Sequence, residues 1–318
     1  MSEIRNIEEV FESELRPNLE ELEPLRKKVA AFIALAIASI LIGVAGALIA
    51  PSENVQIGAI VLGVIGVITF SVLAYSKFKI YRNDFKNNVV RKIVEAINPE
   101  FQYNPKAHVS TYTYEQSRMF LQRADRYSGD DYVTGKIEKT DFEFSEFKSE
   151  YKTETTQNGQ RKTEWHTIFH GIFFHAEFNK HIEGETFIEP DTAERLFGKF
   201  GQKLQFSSKG KLVKLENPEF EKRFAVFSTN QTEARYILTP TMMEAMVNIQ
   251  NKVGRKFHFS FIGNRVYCGV SFNKSLFEPR IMQSGVRLAD VEFMYRIFSL
   301  IELLIHEMNL NTRIWTKE

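Results

Sequence analysis

Four histidines crowd into a short stretch of this chain and are its first candidates for chemistry. They are His166, His170, His175 and His181. Imidazole nitrogens are common ligands of transition metals. On an extended strand, His166 and His170 share a face but lie about 13 Å apart, which is too far for one ion. Because His175 points to the other face and no cysteine or aspartate completes a spaced set, we interpret all four as strand histidines.

An acidic turn at residues 125–131 offers a second set of possible ligands. Its carboxylates, above all those of Asp130 and Asp131, are of the type that binds Ca²⁺ or Mg²⁺. The turn lacks the regular 1-3-5 ligand spacing and the distal glutamate of a calcium-binding loop. The sequence therefore predicts no metal and no cofactor. The weak candidates for metal ligands are Asp130, Asp131, His166 and His170.

Other catalytic signatures are missing from the sequence, so the catalytic residues are unknown. The single cysteine, Cys268, lies on a predicted strand with no helix N-terminus or base beside it, which disfavours a nucleophile. There is no G-x-S-x-G motif, no phosphate-binding glycine loop and no H-E-x-x-H motif. An interaction protein is favoured. The alternative is a membrane-bound, hydrolase-like enzyme that uses the acidic turn or the histidine strand.

Two apolar segments precede these residues and indicate where the protein works. Residues 29–50 and 55–76 contain no Asp, Glu, Lys or Arg, and only four residues separate them. At about 1.5 Å of rise per residue, each is long enough to cross a membrane as a helix. The pair predicts a transmembrane helical hairpin. A cleaved signal peptide is disfavoured because its apolar region is only about 7–15 residues long.

The charges beside the two spans predict their orientation. Arg26, Lys27 and Lys28 precede the first span, and Lys77, Lys79 and Arg82 follow the second. The connecting loop carries only Glu53. The positive-inside rule then places both termini in the cytoplasm, in a multi-pass protein of the inner (plasma) membrane. Neither span contains an ionisable residue, which disfavours an ion or proton route through the hairpin.

Small residues recur at intervals of four in both spans. They are Ser39, Gly43 and Ala47 in the first span, and Ala59 and Gly63 in the second. Small residues let two helices approach closely in lipid. We expect this packing to lie within the hairpin rather than between molecules.

Helical patterns flank the spans on both sides. Residues 1–28 form an acidic amphipathic segment, in which Pro17 is predicted to begin a second helical piece. Residues 77–98 are predicted to continue the second span as a juxtamembrane helix that stops at Asn98-Pro99.

Residues 99–318 are predicted to form a cytoplasmic α+β domain with a mostly antiparallel sheet and packed helices. Asn158-Gly159 is a strong type I′ hairpin turn. The strand that follows, at 163–178, is apolar on both faces and should be central. A further strand is predicted at 233–238.

Three helices are predicted in the same domain. A short helix begins at Asp191, and a second covers 241–253 with Thr241 and Glu244 as a capping box. The third, at 288–308, has a broad apolar face that is either deeply buried or makes a subunit contact.

Four blocks of the sequence resemble a known family. Residues 169–174 read Phe-His-Gly-Ile-Phe-Phe, and residues 215–221 with Phe224, 233–240 and 276–279 follow at the expected places. With the two-span hairpin, these blocks are similar to the bacterial family called domain of unknown function 3137. The resemblance implies no established activity and no catalytic residue. Members are often encoded near LemA-type membrane proteins, which implies a possible partner.

We therefore expect a membrane-anchored cytoplasmic interaction or assembly module. It would associate with itself or with another membrane protein, through the acidic N-terminal segment and the helix at 288–308. The formal net charge is only +1, and no concentrated basic face indicates nucleic acid as a partner.

Overall fold

The computed structural model describes residues 7–157, 160–190, 208–308 and 310. The chain divides into two compact units. The first comprises Met1–Pro99 and Phe277–Tyr295, and the second comprises Glu100–Leu276 and Arg296–Glu318.

The first unit is built on two long helical stretches. Helix α1 (Ile7–Val10) and a π-helical turn lead into α2 (Arg16–Ile49), and Pro17 lies in the first turn of α2 as predicted. Helix α3 (Glu53–Phe85) passes through a second π-helical turn into α4 (Arg91–Ile97), and Asn98 ends it.

Both stretches contain a window that is long and apolar enough to cross a membrane, judged by length and composition. Only 6% of each window is buried inside the chain. A helix in the core of a soluble protein is mostly buried, so these two helices differ from core helices.

The small residues of the two spans face each other. A Cβ added to Gly63 would lie 3.0 Å from the Cα of Gly43, and one added to Gly43 would lie 3.1 Å from the Cα of Gly63. A Cβ on Gly46 would lie 3.0 Å from the Cβ of Ala59. The close approach that was expected within the hairpin is therefore present.

The second unit contains an antiparallel sheet, which has seven strands among the described residues. Their order is β1-β2-β3-β4-β6-β5, and β7 also pairs with β4. The strands are β1 (Gln102–Asn104), β2 (Arg126–Ile137), β3 (Thr140–Gln157), β4 (Gln160–Pro190), β5 (Lys211–Val213), β6 (Phe224–Ser228) and β7 (Phe257–Ser271). This confirms the α+β prediction, and β4 is central because it pairs with β3, β6 and β7. The Asn158-Gly159 turn and the helix predicted at Asp191 lie outside the described residues.

Five further helices lie among the described residues after Pro99. They are α5 (Thr111–Gln116), α6 (Pro218–Glu221), α7 (Gln231–Ile237), α8 (Pro240–Val253) and α9 (Leu288–Glu307). The strand predicted at 233–238 is wrong, because Asn230 caps α7 by accepting the backbone N–H of Glu233. The capping box at Thr241 is also wrong. Thr239 is the N-cap of α8, accepting the N–H of Met242 at 3.3 Å, and Pro240 occupies the first turn.

Helix α9 confirms the buried interpretation of its apolar face. Eight apolar residues of this face are at most 5% exposed: Val291, Met294, Ile297, Phe298, Leu300, Ile301, Leu304 and Ile305. The chain itself covers them, so this face is not available to a partner.

Candidate functional site

Three carboxyl groups converge in the second unit. Asp130 and Asp131 lie on β2, and Glu146 lies on the neighbouring strand β3. One oxygen of each group lies within 4.8 Å of the others. We call these three residues the acidic cluster.

A β-bulge brings the two aspartates to the same side. Asp130 pairs with Glu146, and the next pair joins Val133 to Phe144, so β2 has one residue more than β3 here. Asp131 has a φ of 55°, in the left-handed region that aspartate tolerates better than most residues. On a regular strand, Asp130 and Asp131 would point to opposite faces. The bulge therefore allows both of them to reach Glu146.

Two members of the acidic cluster are deeply buried and held by donors. Asp131 is fully buried and accepts a hydrogen bond of 2.5 Å from the hydroxyl of Tyr103. Glu146 accepts the backbone N–H of Leu276 at 2.8 Å through one carboxylate oxygen. Its other oxygen lies 3.4 Å from Nε2 of His170. The cluster is thus a polar network inside the sheet unit.

Burial raises the pKa of Glu146, and the negative charge of Asp130 raises it further. The hydrogen bonds from Leu276, Ser275 and His170 act in the opposite direction, because they stabilise the carboxylate. Glu146 therefore takes up a proton more readily than an exposed glutamate.

The acidic cluster has the chemistry of a site for a hard divalent cation. Carboxylate oxygens are the ligands that Ca²⁺ and Mg²⁺ prefer, and Ca²⁺ takes about 6–8 oxygens at about 2.3–2.6 Å. Three carboxyl groups provide up to six oxygens, and several of these already accept hydrogen bonds, including those from Tyr103, Leu276 and His170. The same arrangement is also a satisfied hydrogen-bond network that stabilises the sheet.

The structure brings three of the four residues selected from the sequence together and leaves one apart. Asp130, Asp131 and His170 meet at Glu146. In contrast, Nε2 of His166 lies 2.8 Å from the hydroxyl of Thr153. The ring of His166 also stacks on Tyr151 with the centroids 4.9 Å apart.

Glu146 was not selected from the sequence, although a signal for it exists. Phe142 and Phe144 are buried and precede it at alternating positions of β3. The next position on that face is Glu146 rather than an apolar residue. A charged residue at a core position is rarely fully buried unless it has partners, and this one is 5% exposed.

The remaining histidines and the cysteine serve other contacts. Nδ1 of His175 lies 2.9 Å from Nη1 of Arg265, and Nε2 lies 3.2 Å from the carboxylate of Glu143. This contact lowers the pKa of Glu143. His181 is exposed. Burial raises the pKa of the Cys268 thiol, which keeps it protonated and unreactive.

The strands β3 and β4 also form a two-stranded arm at their outer ends. Residues 151–156 of β3 pair with residues 161–166 of β4. Pairing of β2 with β3 ends at Arg126 and Glu150, and pairing of β7 with β4 begins at Gly171. Within the described part of the chain, each strand of the arm therefore has a ladder partner on one side only. The side chain of Asp125 accepts the N–H of Lys152 at the base of the arm.

The arm presents both charge and aromatic surface. Trp165 is 41% exposed, and the guanidinium carbon of Arg126 lies 4.0 Å from the centroid of its ring. Ion pairs join Arg161 to Glu154 and Lys162 to Glu164. The unpaired edges, together with Trp165, make the arm the second candidate site.

Comparison with known proteins supports the resemblance seen in the sequence. Residues 167–310 match the model of the family described as Protein of unknown function (DUF3137). No curated protein matches the sequence. A solved structure that it resembles is the crystal structure of the mycobacterial trehalose monomycolate transport factor A, TtfA. The sequence identity is 8% and the TM-score is 0.35, over 67% of this chain and 93% of that chain. A likeness at this score carries no argument about function.

The family match begins after both apolar helices and after the acidic cluster, and it includes His170 and most of β4. It also contains the four sequence blocks that carry the resemblance, which is thereby confirmed over this region. Through residues 167–310, this chain is similar to the family called domain of unknown function 3137.

Proposed function

We propose that this protein is a membrane-anchored interaction or assembly module. Its helical hairpin crosses the inner (plasma) membrane, and its sheet unit binds another protein in the cytoplasm. The observation that carries this proposal is the exposure of the two apolar helices, since only 6% of each apolar window is buried inside the chain. Exposed apolar surface on this scale marks a membrane or partner contact.

The distribution of charge supports the orientation. Basic residues lie next to the spans only at Arg26, Lys27 and Lys28 and at Lys77, Lys79 and Arg82, whereas the connecting loop has Glu53. With the basic ends inside, the amino-terminal segment and the sheet unit are both cytoplasmic.

The two-stranded arm is the surface that we assign to a protein partner. An unpaired strand edge offers free backbone N–H and C=O groups, to which an extended segment of a partner adds as a further strand. The exposed ring of Trp165 adds apolar contact area of the type that is enriched in interfaces. The partner is a second copy of this chain or another membrane protein, and a LemA-type protein is the first candidate.

The acidic N-terminal segment contributes less to this interaction than the sequence indicates. Its apolar residues Val10, Phe11, Leu15 and Leu19 are at most 3% exposed. Its apolar face is therefore used inside the chain, and the exposed residues of its described part are mostly polar or charged, such as Glu9, Glu12 and Glu20.

In-cell photo-crosslinking tests the assignment of the arm. A photoreactive amino acid at Thr155, on the arm, should give a crosslinked protein band in living cells. The matched control carries the same amino acid at Tyr112, which is 70% exposed on α5. Crosslinks of equal yield from both positions, or none from Thr155, would contradict the proposal.

A membrane-bound, hydrolase-like enzyme is the second candidate, and the acidic cluster is the observation that favours it. Metal titration separates the two functions. If the protein is an interaction module without a metal site, its thermal unfolding midpoint should not rise with millimolar Mg²⁺, Ca²⁺ or Mn²⁺. A rise that the variant Asp131→Asn abolishes, accompanied by hydrolysis of a test ester, would establish the enzyme instead.

A further inference from the structure

Four lysines lie immediately beside the ends of the two spans. Lys27 and Lys28 precede residue 29, and Lys77 and Lys79 follow residue 76. Lys27, Lys28 and Lys79 are exposed, and Lys77 is half-buried. Within the part of the chain that the structure describes, none of the four forms an ion pair. We call these four residues the basic collar.

Two carboxylates of the same unit, those of Glu23 and Glu278, are paired with other cations. Arg26 binds Glu23 at 2.6 Å. Arg82 and Lys86 both bind Glu278, at 2.5 Å and 3.1 Å. The next exposed carboxylate on α2, Glu21, lies about 9 Å further from the span than Lys27, at about 1.5 Å per residue. The collar lysines therefore form no close ion pair among the described residues, and Lys27 acts on Glu23 only as a neighbouring charge.

A segment from the C-terminal half of the chain is hydrogen-bonded to α2 and α3 close to the basic collar. Arg26 donates to the carbonyl oxygen of Ile281 at 2.5 Å, and the hydroxyl of Tyr81 donates to that of Arg280 at 3.1 Å. Burial raises the pKa of Tyr81 to about 12, so this hydroxyl stays protonated and continues to donate. The residue after Ile281 is Met282, which is 73% exposed.

We propose that the basic collar and the segment at 278–287 form a binding surface for the headgroups of anionic phospholipids. This inference rests on the proposed membrane orientation. Lysines near the surface of an anionic leaflet are attracted to it, and their long side chains reach the phosphate level. Met282, held beside the collar, adds an apolar side chain that enters the headgroup region. The collar thus selects the lipids that surround the hairpin.

Electron paramagnetic resonance with spin-labelled lipids tests the proposal on the full chain. The protein is reconstituted in phosphatidylcholine bilayers that contain spin-labelled phosphatidylglycerol or spin-labelled phosphatidylcholine. We expect the association constant for phosphatidylglycerol to be at least about threefold higher. The preference should decrease in 1 M salt, since salt screens surface charge.

Two quadruple variants with the same change in charge separate the collar from general basicity. In K27Q/K28Q/K77Q/K79Q, the preference for phosphatidylglycerol over phosphatidylcholine should disappear. In K106Q/K139Q/K211Q/K256Q, whose four lysines are exposed in the sheet unit, it should stay as in the unmodified protein. Circular dichroism melting checks that both variants are folded.

A nitroxide attached at Met282→Cys reports the depth of the segment, because the natural Cys268 is buried and does not react. Its power saturation should place the label at the headgroup level, and a label at Lys139→Cys should lie in water. No preference for phosphatidylglycerol, an equal preference in the collar variant, or a Met282 label in bulk water would overturn the inference. If the protein fails to insert in the bilayer at all, the proposed function fails as well.

Discussion

Two glutamates of β3, only four positions apart, have pKa values that are shifted in opposite directions. Burial beside Asp130 raises the pKa of Glu146, whereas hydrogen bonds from Arg126 and Lys148 lower that of Glu150 to about 2. Nε of Arg126 lies 2.7 Å from one oxygen of Glu150, and Nζ of Lys148 lies 2.7 Å from the other. Neighbouring groups, rather than residue type, decide how readily each carboxyl group takes up a proton.

Glu150 leads to a prediction about acid. A carboxyl group whose pKa is lowered in the folded state stabilises the fold above its unfolded pKa of about 4.3. That contribution is lost as the pH falls toward about 2. Between about pH 5 and pH 2, the thermal unfolding midpoint should therefore fall less in Glu150→Gln than in the unmodified protein. The difference is small because Arg126 is about half exposed and water screens the pair.

The control for this measurement is Glu244→Gln, on an exposed position of α8. Its unfolding midpoint should change with pH as in the unmodified protein. Parallel pH profiles for Glu150→Gln and the unmodified protein would contradict the role of Glu150.

The candidate site shows what single residues in the sequence can and fail to indicate. Asp130 and Asp131 were selected because of their type. Their convergence on Glu146 depends on a bulge and a left-handed φ at Asp131, which no alternation pattern predicts. His166 was selected with them, but its hydrogen bond to Thr153 is a cross-strand contact that the sequence does not specify.

At the scale of elements, glycines without side chains let the two helices of the hairpin pack closely. Gly43 and Gly63 bring the two helices so close that an added Cβ would lie about 3 Å from the opposite backbone. Such proximity gives van der Waals contact in lipid, where the hydrophobic effect does not drive helices together.

Gly63→Leu should therefore separate the helices and lower the free energy of unfolding in detergent by about 1–3 kcal/mol, the usual cost of overpacking. The matched control is Gly58→Leu on the same helix, because nothing lies within 4 Å of a Cβ added to Gly58. Equal stability of the two variants would contradict this packing.

Helix caps provide the second prediction at this scale. Thr239→Ala removes the N-cap of α8 and should destabilise the sheet unit by about 1 kcal/mol in chemical denaturation. Thr241→Ala, two positions later at an exposed site, should have little effect. If Thr241→Ala were the more destabilising change, the capping box predicted from the sequence would be supported instead.

The elements were predicted best where a period or a cap is unambiguous. The two spans, the central strand and α9 follow from long apolar patterns. The segment at 233–238 has the composition of a strand, yet it is helical because Asn230 satisfies the N–H of Glu233 and thereby begins a helix. A cap that lies outside the segment decided its structure.

For the whole molecule, the orientation in the membrane is the property on which the proposed function and the lipid-binding inference depend. A reporter enzyme that is active only outside the membrane, fused after Glu318, should be silent, whereas the same reporter inserted after Ser52 should be active. Ser52 lies between α2 and α3, in the loop that we place outside. Strong activity of the fusion after Glu318 would overturn the orientation.

The contacts between Arg26 and Ile281 and between Tyr81 and Arg280 have a consequence for the order of folding. Residues 277–295 belong to the same compact unit as Met1–Pro99, with residues 100–276 between them in the chain. At about 5–20 residues per second, the ribosome needs about 9–35 s to synthesise that interval. During this time the hairpin has left the ribosome, but the segment that binds its base does not yet exist. Synthesis of the first unit therefore begins before that of the sheet and is completed after it. A fragment that starts at residue 100 carries residues 277–295 without the helices they bind.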